Sequence, residues 1–123
     1  MNDSERKSIL VVDDEEIIRK FLSEVLNEDY CVCVASDGDE AIEQIKQHKF
    51  DLIITDLKMP KVSGEEVVKF ARQHDPQAKV IVISGFSSLY TVSESIKCGA
   101  RAFLAKPFSI RELMQSVAEA VNG

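Results

Sequence analysis

The chain is predicted to fold as one α/β domain, a doubly wound parallel sheet of five strands with helices on both faces. Three observations predict it. Short apolar runs rich in β-branched residues alternate five times with segments of helical spacing, which is the pattern of successive βα units. The runs are apolar on both faces, as buried parallel strands are. The length of 123 residues suits a single domain, which at this size buries roughly two-thirds of its unfolded surface without a disulfide or structural metal.

Met1–Lys7 is polar and reads as an N-terminal tail with no apolar signal-peptide core; the domain proper spans residues 8–122. The first strand is Ile9-Leu10-Val11-Val12. A helix follows in which Ile17, Ile18, Phe21, Leu22, Val25 and Leu26 form a two-wide apolar stripe. The second strand is Cys31-Val32-Cys33-Val34, and Ala41, Ile42 and Ile45 mark the helix after it. The third strand is Leu52-Ile53-Ile54-Thr55. Its helix carries Val67, Val68 and Ala71 and opens on Ser63-Gly64-Glu65-Glu66, a capping-box spacing. The fourth strand is Val80-Ile81-Val82-Ile83. The segment Ser87–Cys98 has Leu89, Val92 and Ile96 at helical spacing and Gly99 as its stop, but is otherwise rich in Ser and Thr, poor helix formers. It is expected to be the least stable helix. The fifth strand is Ala102-Phe103-Leu104-Ala105. The last helix has Ile110, Leu113, Met114, Val117 and Val121, a Ser109/Glu112 capping box, and a Phe108/Leu113 staple. Right-handed crossovers and five strands give the flavodoxin-like order 2-1-3-4-5.

Composition narrows the function. Hydrophobic residues are 45% and charged residues 29% of the chain, which argues against disorder. The net charge of −6 disfavours direct binding to nucleic acid or to anionic membranes. No apolar run is long enough to span a bilayer. Cys31, Cys33 and Cys98 have neither a disulfide framework nor zinc spacing, and free thiols without an export signal point to the cytoplasm.

In this architecture ligands bind outside the carboxyl ends of the strands. Strand 1 ends in Asp13-Asp14, strand 3 in Asp56, strand 4 in Ser84-Gly85 and strand 5 in Lys106-Pro107. Three carboxylates, a hydroxyl and an ammonium are therefore expected to converge at one edge of the sheet. Unpaired carboxylates crowded in a crevice are costly, and a hard divalent cation relieves the cost. Oxygen ligands select Mg²⁺, Mn²⁺ or Ca²⁺ over zinc. Lys106 supplies a point charge for an anion, and Ser84 a hydrogen-bond donor. The chemistry that fits is phosphoryl handling on a carboxylate. Glu15 and Glu16 read as acidic residues complementing the dipole of the first helix, and His48 and His74 as solvated positions near helix ends. The acidic loop after strand 1 would repel the phosphate of a flavin. No GxGxxG, GxxxxGK[ST] or GxSxG pattern is present.

With Asp13-Asp14, Asp56, Ser84 and Lys106-Pro107 in place, the sequence resembles the receiver domain of two-component response regulators, CheY-like, from about Ser8 to Val121. The stretches that carry the resemblance are Ile9–Glu15, Asp51–Pro60, Ser63-Gly64, Ser84-Gly85, Gly99-Ala100 and Lys106-Pro107-Phe108. It implies that Asp56 is the phosphoacceptor, charged by a phosphohistidine on a sensor histidine kinase or a histidine phosphotransfer domain. It implies Mg²⁺, replaceable by Mn²⁺, held by Asp14 directly, by Asp13 mainly through water, by Asp56 and by the backbone carbonyl of Lys58. Ser84 would turn toward the phosphoryl group and Lys106 would pair with it. Phe103 would be the aromatic switch that turns inward when the serine moves, and the peptide before Pro107 would be cis. Ser84 stands where threonine is commoner, and Phe103 where tyrosine is also common. Lys58 and Phe86, two residues beyond Asp56 and Ser84, fall at positions that tune water attack on the aspartyl-phosphate, and bulky Phe86 is expected to shield the site.

The resulting expectation is a phosphorylation-activated switch whose fourth helix, fifth strand and fifth helix form the output face toward an output domain or target protein, with a phosphorylation-dependent dimer as a further outcome. It would catalyse only its own Mg²⁺-dependent phosphorylation and dephosphorylation and would not be an enzyme in the wider sense. Two alternatives stand beside it. A phosphorylation-independent scaffold is disfavoured by the complete set of five groups. An aspartyl-phosphate phosphohydrolase of the haloacid-dehalogenase type would want a second acid two residues after the nucleophile, where this chain has Lys58.

Overall fold

A computed structural model describes residues 6–85 and 88–123. Its elements alternate as β1 (Ser8–Val12), α1 (Glu16–Leu26), β2 (Cys31–Ala35), α2 (Gly38–Gln47), β3 (Leu52–Asp56), α3 (Gly64–His74), β4 (Val80–Ser84), α4 (Leu89–Lys97), β5 (Ala102–Ala105) and α5 (Ile110–Asn122). The strands form one five-stranded sheet of order β2-β1-β3-β4-β5, and every neighbouring pair is parallel. This is the predicted flavodoxin-like topology.

Strand alternation divides the core into two layers. Leu10, Val12, Ile53, Val80 and Val82 pack with Ala41 and Ile45 of α2 and with Val67, Val68 and Ala71 of α3. Ile9, Val11, Leu52, Ile54, Ile81 and Ile83 pack on the other side with Leu22 and Leu26 of α1 and with Leu113, Val117 and Ala120 of α5. The central strands β1, β3 and β4 are buried on both faces, hence their unbroken apolar runs.

The helix starts follow local chemistry. Ser109 accepts from the Glu112 N–H while Glu112 reaches back to the Ser109 N–H, a complete capping box. Ser63 accepts from the Glu66 N–H at 3.3 Å. Phe108 packs against the layer that contains Leu113. Gly99 ends α4 at φ +116°, a conformation that costs other residues a Cβ clash.

Two expectations are corrected. The sequence predicts a buried second strand, but β2 is an edge strand, and only Ala35 in it is buried. Leu89, Val92 and Ile96 have helical spacing, and the sequence predicts that packing, more than propensity, holds α4. Instead the buried residue of α4 is Ser95, whose hydroxyl donates to the Thr91 carbonyl, while Leu89 is 85% exposed and Tyr90 and Ile96 are exposed beside it. The helix has a real N-cap in Ser88 but little apolar anchorage, which is consistent with low local stability.

Candidate functional site

The parallel register brings the carboxyl ends of β1, β3, β4 and β5 to one edge. Asp13 follows β1 directly, 2% exposed, and its amide donates to the Ala35 carbonyl at 3.2 Å. Its Oδ1 accepts from the Glu15 N–H at 2.9 Å, and Arg19 Nη1 donates to its main-chain carbonyl at 2.8 Å. Asp56 is the last residue of β3, 7% exposed, and its Oδ1 accepts from the Leu57 N–H at 2.8 Å. Gly64 backs this segment: a Cβ there would collide with the Asp56 carbonyl oxygen, and the Gly64 N–H donates to the Leu57 carbonyl at 3.0 Å. Only glycine lets α3 start so close to the end of β3.

Lys106 enters from the end of β5. Its ammonium lies 3.6 Å from Asp13 Oδ2, 3.9 Å from Asp56 Oδ1 and 4.0 Å from Glu15 Oε1. Its amide donates to the carbonyl of Ser84 at 2.9 Å, and the Lys106–Pro107 peptide is cis. Ser84 ends β4 and is buried, 1% exposed. Asp14 is exposed at the rim, and Lys58 is exposed on the loop after Asp56. Phe103 is half-buried on β5 and packs against the α2/α3 layer. Phe86 lies outside the described residues.

Charge dominates the site. Burial, above all, raises the Asp13 carboxyl above the ordinary carboxylate range, and neighbouring Asp14 and Glu15 add to this against the opposing Glu15 N–H and Lys106. Asp56 is pushed up to about 6, first by burial and then by the charge of Asp13, with Lys106 and the Leu57 N–H pulling the other way. Asp13, Asp14, Glu15 and Asp56 each place a carboxylate oxygen within 4.8 Å of the others. A single ammonium leaves such a cluster with excess negative charge. An all-oxygen donor set with this charge fits a hard divalent cation such as Mg²⁺.

Sequence reasoning missed two parts of this geometry. Glu15 joins the acidic cluster instead of serving only the helix dipole; the run Asp13-Asp14-Glu15-Glu16 contained that signal. Phe21 and Phe108 meet at 6.4 Å between ring centroids, a contact no local pattern discloses.

Residues 9–118 match the family model described as response regulator receiver domain. The chain belongs to the response regulator receiver domain family. It is 32% identical over 116 residues to the chemotaxis protein CheY of Bacillus subtilis, covering 93% of this chain and 97% of that one. The receiver domain protein (CheY-like) from Methanospirillum hungatei superposes with a TM-score of 0.90 at 31% identity, covering 95% and 94% of the two chains. The CheX–CheY–BeF3–Mg complex from Borrelia burgdorferi superposes with a TM-score of 0.87 at 29% identity, covering 92% and 87%. Membership makes this receiver domain a phosphorylation-activated switch of two-component signalling. Receiver domains bind Mg²⁺ at an acidic pocket, and the cluster around Asp13 has the character of one. No described helix is long and apolar enough to cross a membrane.

Proposed function

We propose that Asp56 is the phosphoacceptor and that Ser84 and Lys106 convert its phosphorylation into a change of the α4–β5–α5 face. The observation that carries this is the placement of the Asp56 carboxylate, buried at the end of β3 and 3.9 Å from Lys106. Its Oδ1 is held by the Leu57 N–H, so the other oxygen is the one left to attack. That oxygen attacks phosphorus, the bond from phosphorus to the donor's imidazole nitrogen breaks, and the imidazole leaves with the electron pair. The donor is a phosphohistidine on a histidine kinase or a phosphotransfer domain. Asp13, Asp14, Asp56 and the Lys58 carbonyl would hold a divalent cation, which would supply positive charge to offset that of the phosphoryl oxygens. Mg²⁺ fits this role, and Mn²⁺ is its nearest substitute.

The phosphoryl group adds up to about two negative charges and three acceptor oxygens. Lys106 exchanges its carboxylate partners for a phosphoryl oxygen. Ser84 donates to another, and Phe103 turns further into the protein as the serine moves. These contacts exist only in the phosphorylated state, so they bias a two-state equilibrium. The element that responds is α4, whose apolar residues Leu89, Tyr90 and Ile96 stand exposed for a target protein, an output domain or a second copy. The chemistry stays confined to the domain's own phosphoryl group, and the work is done in the cytoplasm. The domain begins at about residue 8, after a polar tail.

Amide NMR spectra before and after phosphorylation test this reading. The parent should show its largest shifts in α4, β5 and the Ser84 segment. Ser84→Ala should still take up phosphate, yet lose most of the α4 shifts. Equal α4 shifts in the parent and in Ser84→Ala would remove Ser84 from the switch.

A further inference from the structure

Glu15 is the N-cap of α1, yet its side chain makes no capping hydrogen bond. The caps of the other four helices, Asp37, Ser63, Ser88 and Ser109, each accept an N–H from their own first turn. The next residue, Glu16, does what a first-turn acid ordinarily does, pairing with Lys20 at 3.4 Å on the exposed face. The Glu15 carboxylate goes elsewhere. It reaches Lys106 Nζ at 4.0 Å and sits within 4.8 Å of the oxygens of Asp13, Asp14 and Asp56. Meanwhile its backbone N–H holds Asp13 Oδ1. One residue thus touches Asp13 through its main chain and the Lys106 ammonium through its side chain.

We propose that Glu15 is a positioning residue of the phosphorylation site: its carboxylate strengthens divalent-cation binding and, before phosphorylation, draws Lys106 toward the rim. The inference rests on the function proposed above and deepens it. Two consequences follow, and they oppose each other. A fourth negative charge beside the cation site raises cation affinity. The same charge repels an anionic phosphodonor and competes for the ammonium that should meet the incoming phosphoryl group. Glu15 therefore trades speed of phosphorylation for hold on the cation. Its 64% exposed side chain places the effect in the range of a screened surface charge.

The test is Glu15→Gln, which keeps the size of the side chain and the backbone bond to Asp13. Mg²⁺ binding is measured by titration calorimetry, and phosphoryl uptake from acetyl phosphate by intact mass at saturating Mg²⁺. The expected result is an Mg²⁺ dissociation constant raised about threefold or more, together with phosphorylation at saturating Mg²⁺ accelerated by a similar factor. Glu15→Asp, which keeps the charge, should stay within about twofold of the parent in Mg²⁺ affinity. A loss of structure would slow phosphorylation and not accelerate it, so the opposed pair of changes separates positioning from folding. If the parent binds Mg²⁺ and takes up phosphate but either quantity is unmoved in Glu15→Gln, the inference is overturned and the site reading stands. A parent that does neither overturns the site reading and this inference with it.

Discussion

Replacing Asp56 by asparagine should stabilise the metal-free protein at neutral pH, although it removes the reactive group. Burial and the neighbouring charge of Asp13 raise the Asp56 carboxyl from 3.8 to about 6. That displacement corresponds to about 3 kcal/mol at roughly 1.36 kcal/mol per pH unit, and an expected gain of about 2 kcal/mol allows for relaxation around the new side chain. The sign follows from linkage. The folded state binds this proton more tightly than the unfolded chain does. Its contribution is therefore fully present below about pH 4 and is lost as pH rises through about 6. Asparagine carries no charge at any of these values, and its side-chain oxygen still accepts the Leu57 N–H. Urea unfolding followed by circular dichroism, with a chelator present, should show Asp56→Asn about 2 kcal/mol more stable than the parent at pH 7.5. The difference should shrink toward zero near pH 4. Saturating Mg²⁺ should narrow it at pH 7.5, because the cation stabilises the folded parent by mass action. A variant no more stable than the parent at pH 7.5, or a gain independent of pH, would refute the electrostatic account of the site.

Two packing predictions follow from the same geometry. Gly64→Ala should cost at least about 3 kcal/mol in urea unfolding, because the new Cβ collides with main-chain atoms of Asp56 and Leu57 that cannot yield cheaply; a loss below about 1 kcal/mol would contradict the close approach. Leu22→Ala should cost about 2–5 kcal/mol, whereas Ile17→Ala on the same stripe should cost under about 0.5 kcal/mol, since Leu22 is 1% and Ile17 81% exposed. Similar losses at both positions would show that α1 does not pack as described.

The strands and their order could be read from the sequence because central parallel strands are apolar on both faces and βα units leave few topologies. The grouping of the candidate site residues could be read for a related reason: the chain ends its strands with Asp13, Asp56, Ser84 and Lys106, and the fold aligns strand ends. Edge and centre were harder to separate. Cys31–Ala35 has the composition of a buried strand, and its exposure goes with its place at the sheet edge, where β1 is its single neighbour. In α4 the helical spacing of Leu89 and Ile96 was correct, but spacing fixes which residues share a face, not which face turns inward. Ser95 took the buried place by bonding its hydroxyl to its own helix. The place of Glu15 in the acidic cluster was not legible, because a glutamate at a helix start looks the same locally whether or not its carboxylate also nears acids and a lysine distant in sequence.

The most direct test of the central claim is the intact mass of the protein after incubation with Mg²⁺ and acetyl phosphate. The account predicts the gain of one phosphoryl group in the parent, and no gain in Asp56→Asn or when the divalent cation is withheld. Undiminished phosphoryl uptake by Asp56→Asn would contradict it.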